Sequence, residues 1–289
     1  MTIAGSASYV SLRMLLISKW LPIVLVCAAG SAAAQERSWS EEHISTRISR
    51  ATLDSISARG RAMAGYDAAA WHGTDAIRLL KPGPGQITGY VAKQQDDGRW
   101  EVVFGRLDAT RDTFLIAYRA QQATPGDTAF TATAEVPPVA DTRYFAGAAR
   151  ALATALQDFG RLQRPYNAIV LPVVGSADWY VYLVPAPTRW GYWPLGADRR
   201  YRIAPDGNSI LEKRQLHNAV LEYGPPPPNA APTAGSHTAV LADEVEDTDV
   251  FFVLTRLPRV PEYIVSASYF FRIQTDGQIT AYDRDSSEK

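Results

Sequence analysis

Ile-Thr-Gly-Tyr-Val-Ala-Lys-Gln-Gln-Asp-Asp-Gly-Arg-Trp-Glu-Val-Val-Phe-Gly-Arg, residues 87–106, decides the fold class. Two runs, Ile87 to Lys93 and Trp100 to Arg106, flank Asp96-Asp97-Gly98, and Asp-Gly between such runs signals a hairpin. Trp100, Val102 and Phe104 recur every second residue and share one strand face. Thr113 to Tyr118 is almost continuously apolar, which predicts a third strand covered on both faces. Short turns join antiparallel neighbours, so these three strands form a meander and not part of a parallel βαβ unit.

Upstream, the period is helical. Ser38 with Glu41 predicts a capping box, Ile44, Ile48, Ala51 and Ile56 follow, and Gly60 is read as a stop. A second helix is expected from Tyr66 through Leu80, ended by Lys-Pro-Gly-Pro-Gly at 81–85. Downstream, residues 120–141 are rich in Thr, Ala and Pro and read as a long loop. Phe145, Ala148, Leu152, Leu156 and Phe159 restore helical spacing.

Tyr166 to Val174 and Trp179 to Val184 predict a second hairpin, and Arg200 to Ala204 with Ser209 to Leu216 a third. The Arg199, Arg200 and Arg202 cluster is read as a solvated strand edge. Asp247 to Leu257 is a helix with Asp247 or Thr248 as N-cap. Tyr263 to Ile273 and Gln278 to Tyr282 close the chain as strands. Helices alternating with antiparallel runs give an α+β fold, its N-terminal and central helices packed on antiparallel sheets. The proline-rich stretch 224–235 is extended. It is a possible subdivision point, read here as a surface loop within a single domain, 35–289.

Residues 1–34 read as an export signal: Arg13 and Lys19 precede an apolar run from Leu21 to Gly30, and Ala32-Ala33-Ala34 offers cleavage before Gln35. Met14 is an alternative start to Met1. That run is about 10 residues, against roughly 20 for a spanning helix, so cleavage is expected and no stable membrane insertion thereafter. Val26 is too bulky to precede a lipidated Cys27, the one cysteine. The expected product is a cysteine-free bacterial protein of the periplasm or the medium. With 29 basic and 30 acidic residues, losing Arg13 and Lys19 leaves a formal charge of about −3. Such a chain lacks the concentrated basic face of a nucleic-acid binder.

Two constellations carry possible chemistry. The first is aromatic: Trp190, Tyr192 and Trp193 sit between Pro187 and Pro194, outside any clear strand, where loops carry function. Rings with a polar tip suit sugar faces and protein interfaces, so an envelope protein or a glycan is the expected partner. Together with the export signal this favours a non-catalytic binding protein without a cofactor.

The second is Ser236-His237-Thr238-Ala239, then Asp247-Thr248-Asp249 opening a helix, then the strand Ile264-Val265-Ser266. Over about 50 residues this resembles the core of the JAMM (JAB-domain) metallopeptidases. There a His-Ser/Thr-His pair and an aspartate at a helix start hold zinc, and a distant glutamate activates water. The resemblance implies His237 as first ligand and Asp249 as another, but Ala239 stands where the second histidine belongs. Such a member would be non-catalytic unless His217 supplied the missing imidazole, which gives the alternative of a zinc-dependent hydrolase using His217, His237 and Asp249. His72 beside Asp75 is read as a structural contact, and His43 as a surface residue. Asp178, Asp198, Glu212 and Glu222 are read as acidic turn residues, not a glycosidase pair. No nucleophile elbow, Walker loop or dinucleotide fingerprint is present.

Overall fold

A computed structural model describes residues 44–160, 163–227 and 229–284, all in one contact unit that runs from Glu41 to Lys289. The expected leader, its Ala34–Gln35 cleavage point, the Ser38–Glu41 box and His43 lie outside these residues. The fold is α+β, as the hairpin pattern predicts.

One helix replaces the two expected at the N-terminal end. It is α1, Arg50–Arg78, and it is capped by Ser49, whose side chain accepts from the Thr52 N–H at 3.1 Å. Gly60 does not stop it. A Cβ there would lie 2.4 Å from Val250 Cβ, so this glycine is where another helix crosses closely. Leu53 and Ile56 bury into a C-terminal core with Val250, Val253, Ile264 and Phe271, whereas Met63, Tyr66, Ala69 and Ile77 bury into the larger core. The helix therefore ties both cores together.

The larger core begins with the sheet β1 (Gly89–Gln94), β2 (Trp100–Leu107), β3 (Phe114–Gln122) and β4 (Phe130–Asp141), antiparallel in that order. The expected loop at 120–141 is instead the end of β3 and all of β4. Most of β4 is exposed and it pairs with β3 alone, so it needs no apolar alternation, and an edge strand tolerates Pro137 and Pro138. Helix α2, Tyr144–Phe159, buries Phe145, Ala148, Ala151 and Ala155.

A second antiparallel sheet follows in the order β5 (Tyr166–Pro172), β6 (Trp179–Pro185), β8 (Arg199–Ile203), β9 (Ile210–Gln215), and a short ribbon joins β7 (Trp193–Leu195) to β10 (Leu221–Tyr223). The arginine cluster is thus interior to a sheet and not a solvated edge: Tyr201 is buried, and Arg200 and Arg202 pair with Asp247 and Asp178.

The last sheet is β11 (Gly235–Thr238), β12 (Glu262–Val265), β13 (Tyr269–Ile273) and β14 (Ile279–Asp283). The single strand expected at 263–273 is the β12–β13 hairpin, turning where Asp243 accepts from Ser266 and from the Ser268 N–H. Strand β11 pairs parallel with β12 across the excursion that contains α3, Asp247–Thr255. The N-cap of α3 is Glu246, one residue before Asp247 and two before Thr248, the two expected caps. No helix among the described residues is long and apolar enough to cross a membrane.

Candidate metal centre

Three elements from distant parts of the chain meet at one point. His217 lies two residues beyond the end of β9, and the intervening Leu216 N–H donates to the Asp198 carbonyl at 3.1 Å, which fixes the strand exit against the start of β8. His237 is the third residue of β11, opposite Ile264. Asp249 lies in the first turn of α3, where the helix dipole favours an anion. A capping box orients it: Asp249 Oδ2 accepts from the Glu246 N–H at 2.8 Å, and the Glu246 side chain accepts from the Asp249 N–H.

That leaves Asp249 Oδ1 for the two imidazoles. It lies 3.0 Å from His217 Nε2 and 3.1 Å from His237 Nε2, and the three ligand atoms fall within 4.8 Å of one another. The rings stand 5.7 Å apart at 69°. Yet His237 Nε2 and Asp249 Oδ1, both buried, have no well-aligned hydrogen-bond partner among the described residues. Orphaned buried polar atoms are uncommon in folded proteins, and these two meet at one place with His217 Nε2.

The far side of each imidazole is held by a carboxylate. His217 Nδ1 is 2.8 Å from Asp198 Oδ1, and His237 Nδ1 is 2.9 Å from Glu262 Oε1. Glu262 is fixed in turn by Arg256, whose Nη1 donates at 2.6 Å, and by the Tyr223 hydroxyl at 3.2 Å. A carboxylate on Nδ1 sets the tautomer with the Nε2 lone pair free, which is the usual outer arrangement of metal-bound histidine.

Electrostatics agree. Burial pulls the His217 pKa down, but Asp249 and Asp198 outweigh it and bring it up to about 11. Burial likewise opposes a charged His237, while Asp249 and Glu262 bring it up to about 9. For Asp249, burial favours the neutral acid, but the two imidazoles hold it well below the ordinary carboxylate range. The pocket therefore wants positive charge: with both imidazoles neutral, three carboxylates and the Arg256 guanidinium leave two negative charges, matching a divalent cation.

The donor set fits zinc. Two imidazole nitrogens and a carboxylate oxygen at about 2.0–2.1 Å from a tetrahedral metal would be separated by about 3.3–3.4 Å, a few tenths beyond the two contacts observed. The two histidines, but not the buried Asp249, line a cavity of about 190 Å³ together with Leu195, Gly196, Asn218, Leu221, Thr238 and Val240. His217 forms its wall, with 11% of its side chain exposed.

The structure thus brings His217, His237 and Asp249 together, and it places Trp190, Tyr192 and Trp193 in a different, larger groove. Asp198, Glu262, Tyr223 and Arg256 are functional neighbours that sequence reasoning missed. Asp178, Glu212 and Glu222 face Arg202, Arg200 and Arg164 in ion pairs. Asp75 pairs with Arg78 and not His72, which stacks on Phe130 at 6.3 Å between ring centroids. No protein-family model, curated protein or solved structure matches this chain.

Proposed function

We propose that the protein is a metal-dependent hydrolase of amide or ester bonds, acting after export to the periplasm or the medium, with zinc held by His217, His237 and Asp249. The observation that carries this reading is the open side of the site. Structural zinc sites are closed by four protein ligands, whereas catalytic ones have three and keep one position for water or substrate. Here three ligands lie together among the described residues, and two of them, His217 and His237, line a cavity. This ranks the hydrolase above the non-catalytic binding protein that composition and the aromatic loop favour.

A bound divalent cation would supply Lewis acidity and activate water near neutral pH. The chain's own residues do the rest. Asp198 and Glu262 keep both imidazoles in the ligating tautomer. The capping box keeps one Asp249 oxygen turned inward. Asn218 and Thr238, at the cavity wall, are positioned to hydrogen-bond a substrate's polar groups. In this reading His217, two residues beyond the end of β9, stands in for the imidazole that Ala239 cannot provide in the JAMM-like pattern.

The test is metal content and turnover together. The purified protein dialysed against zinc should retain about one ion per chain, and His237→Ala and Asp249→Asn should retain less than about a tenth of that. Zinc-loaded protein should cleave members of an amide and ester panel that the two variants leave intact. A folded protein that takes up no zinc defeats the reading.

A further inference from the structure

A second cavity, about 640 Å³, runs between α1, β5 and the loop 186–193. Two indoles flank it and stand in water: Trp71 on α1 is 65% exposed and Trp190 on the loop 95%. Neither is there through looseness of its support. Trp71 lies in the middle of a capped helix. The loop bearing Trp190 is anchored by Tyr192, whose ring takes the Arg189 guanidinium at 3.6 Å and packs so close to Gly224 that a Cβ there would lie 2.6 Å from it. Large apolar rings exposed side by side at a cleft mark a binding surface.

The groove is mostly apolar, with two polar side chains set between these walls. Asp67 and Asn167 both line it, and Asn167 Nδ2 donates to Asp67 Oδ1 at 3.2 Å. That is the one hydrogen bond to Asp67 among the described residues, and no cation pairs with it. Burial, partly offset by Asn167, raises its pKa to about 6, a sign that water reaches this carboxylate poorly. The lining charges balance: Asp67 and Asp75 against Arg78 and Arg189. Two guanidiniums disfavour a cationic ligand and two carboxylates an anionic one. What suits the groove is a neutral ligand with flat apolar faces and many hydroxyls.

We propose that this groove binds a neutral oligosaccharide, with pyranose faces stacked on Trp71 and Trp190 and ring hydroxyls hydrogen-bonded to Asp67 and Asn167. The proposal is independent of the metal centre. The groove lies beside it, however: Trp193 lines the groove and Leu195, two residues along the same strand, lines the metal cavity.

Calorimetry on the intact folded protein tests it, with tetramers of β-1,4-linked N-acetylglucosamine, β-1,4-linked glucose and α-1,4-linked glucose as probes and tetramethylammonium as the cationic control. At least one tetramer should bind with a Kd on the order of 0.1–1 mM. Trp71→Ala and Trp190→Ala, both at exposed positions, should each weaken it about tenfold or more. Asp67→Asn should weaken it as well, and His237→Ala should leave it unchanged. The proposal is overturned if no tetramer binds at about 10 mM, if tetramethylammonium binds in their place, or if both alanine variants bind like the parent.

Discussion

His237 Nε2 lies 3.1 Å from Asp249 Oδ1, and neither atom, though both are buried, has a well-aligned hydrogen-bond partner among the described residues. His217 Nε2 approaches the same oxygen at 3.0 Å, and the three atoms lie within 4.8 Å of one another. Two imidazoles sharing one buried carboxylate oxygen is a donor set that a metal ion can take up, and it sets this cluster apart from the arginine ion pairs elsewhere among the described residues.

Zinc uptake should release protons. With His217 brought up to about 11 and His237 to about 9, both imidazoles are charged at pH 7 in the metal-free protein. A metal ligand must be neutral, so binding displaces about two protons per ion. Calorimetry in buffers of different ionisation heat measures this number directly. Release near zero at pH 7 would show that the histidines do not ligate.

Metal-free stability should fall as the solution turns alkaline. For both histidines the folded pKa lies above the ordinary value of about 6.5, so their contribution is complete below that pH and is lost as pH rises through about 9 and then 11. Glu246 acts in the same direction, because burial raises it to about 8 despite Arg214, and its penalty sets in between about 4.5 and 8. Asp249 is depressed, so its contribution is present above about 3.9 and lost as pH falls below it. Melting temperature without metal should therefore peak on the acid side of neutrality, and saturating zinc should move the peak upward. A metal-free optimum above pH 8 would contradict the signs.

Glu262→Gln and Asp198→Asn should each lower zinc affinity about 10–100-fold, because the neutral amide still accepts from Nδ1 but no longer raises the basicity of the ligating nitrogen. Competition with a chromophoric chelator reads this. Unchanged affinity in both variants would mean the carboxylates only fill space.

The hairpin at 87–106 and the strand from Trp179 to Val184 were legible because strands buried on both faces leave a run of apolar residues. Strand β4 was not, because an edge strand with mostly exposed residues leaves none. Gly60 misled for a related reason: a glycine in a helix reads as a stop unless the partner that needs the space is known. At the metal centre, His237 and Asp249 stand twelve residues apart around a helix start and could be read together. His217 and Asp198 flank strands β9 and β8 of a different sheet, and the pairing of those strands brings the two side chains together.

Gly60→Ala should destabilise the protein although alanine favours helices by about 1 kcal/mol. Its methyl would sit 2.4 Å from Val250 Cβ and 2.8 Å from the Asp247 carbonyl, and overpacking of this kind costs about 1–3 kcal/mol. Since the strain falls on the first turn of α3, zinc affinity should drop with the melting temperature. A stabilised variant with full affinity would show that α1 and α3 have slack at their crossing.

Asp247 supports the same turn from the other side. It is buried and meets Arg59 at 2.8 Å, Arg200 at 3.1 Å and the Tyr182 hydroxyl at 2.7 Å. Removing the carboxylate leaves two guanidiniums facing each other, which costs about 3–5 kcal/mol. Tyr182→Phe removes one hydrogen bond and leaves the ion pairs, for about 1–3 kcal/mol. Urea denaturation should therefore rank Asp247→Ala well below Tyr182→Phe. The reverse order would mean that the hydroxyl, and not the pair of arginines, holds the carboxylate and with it the start of α3.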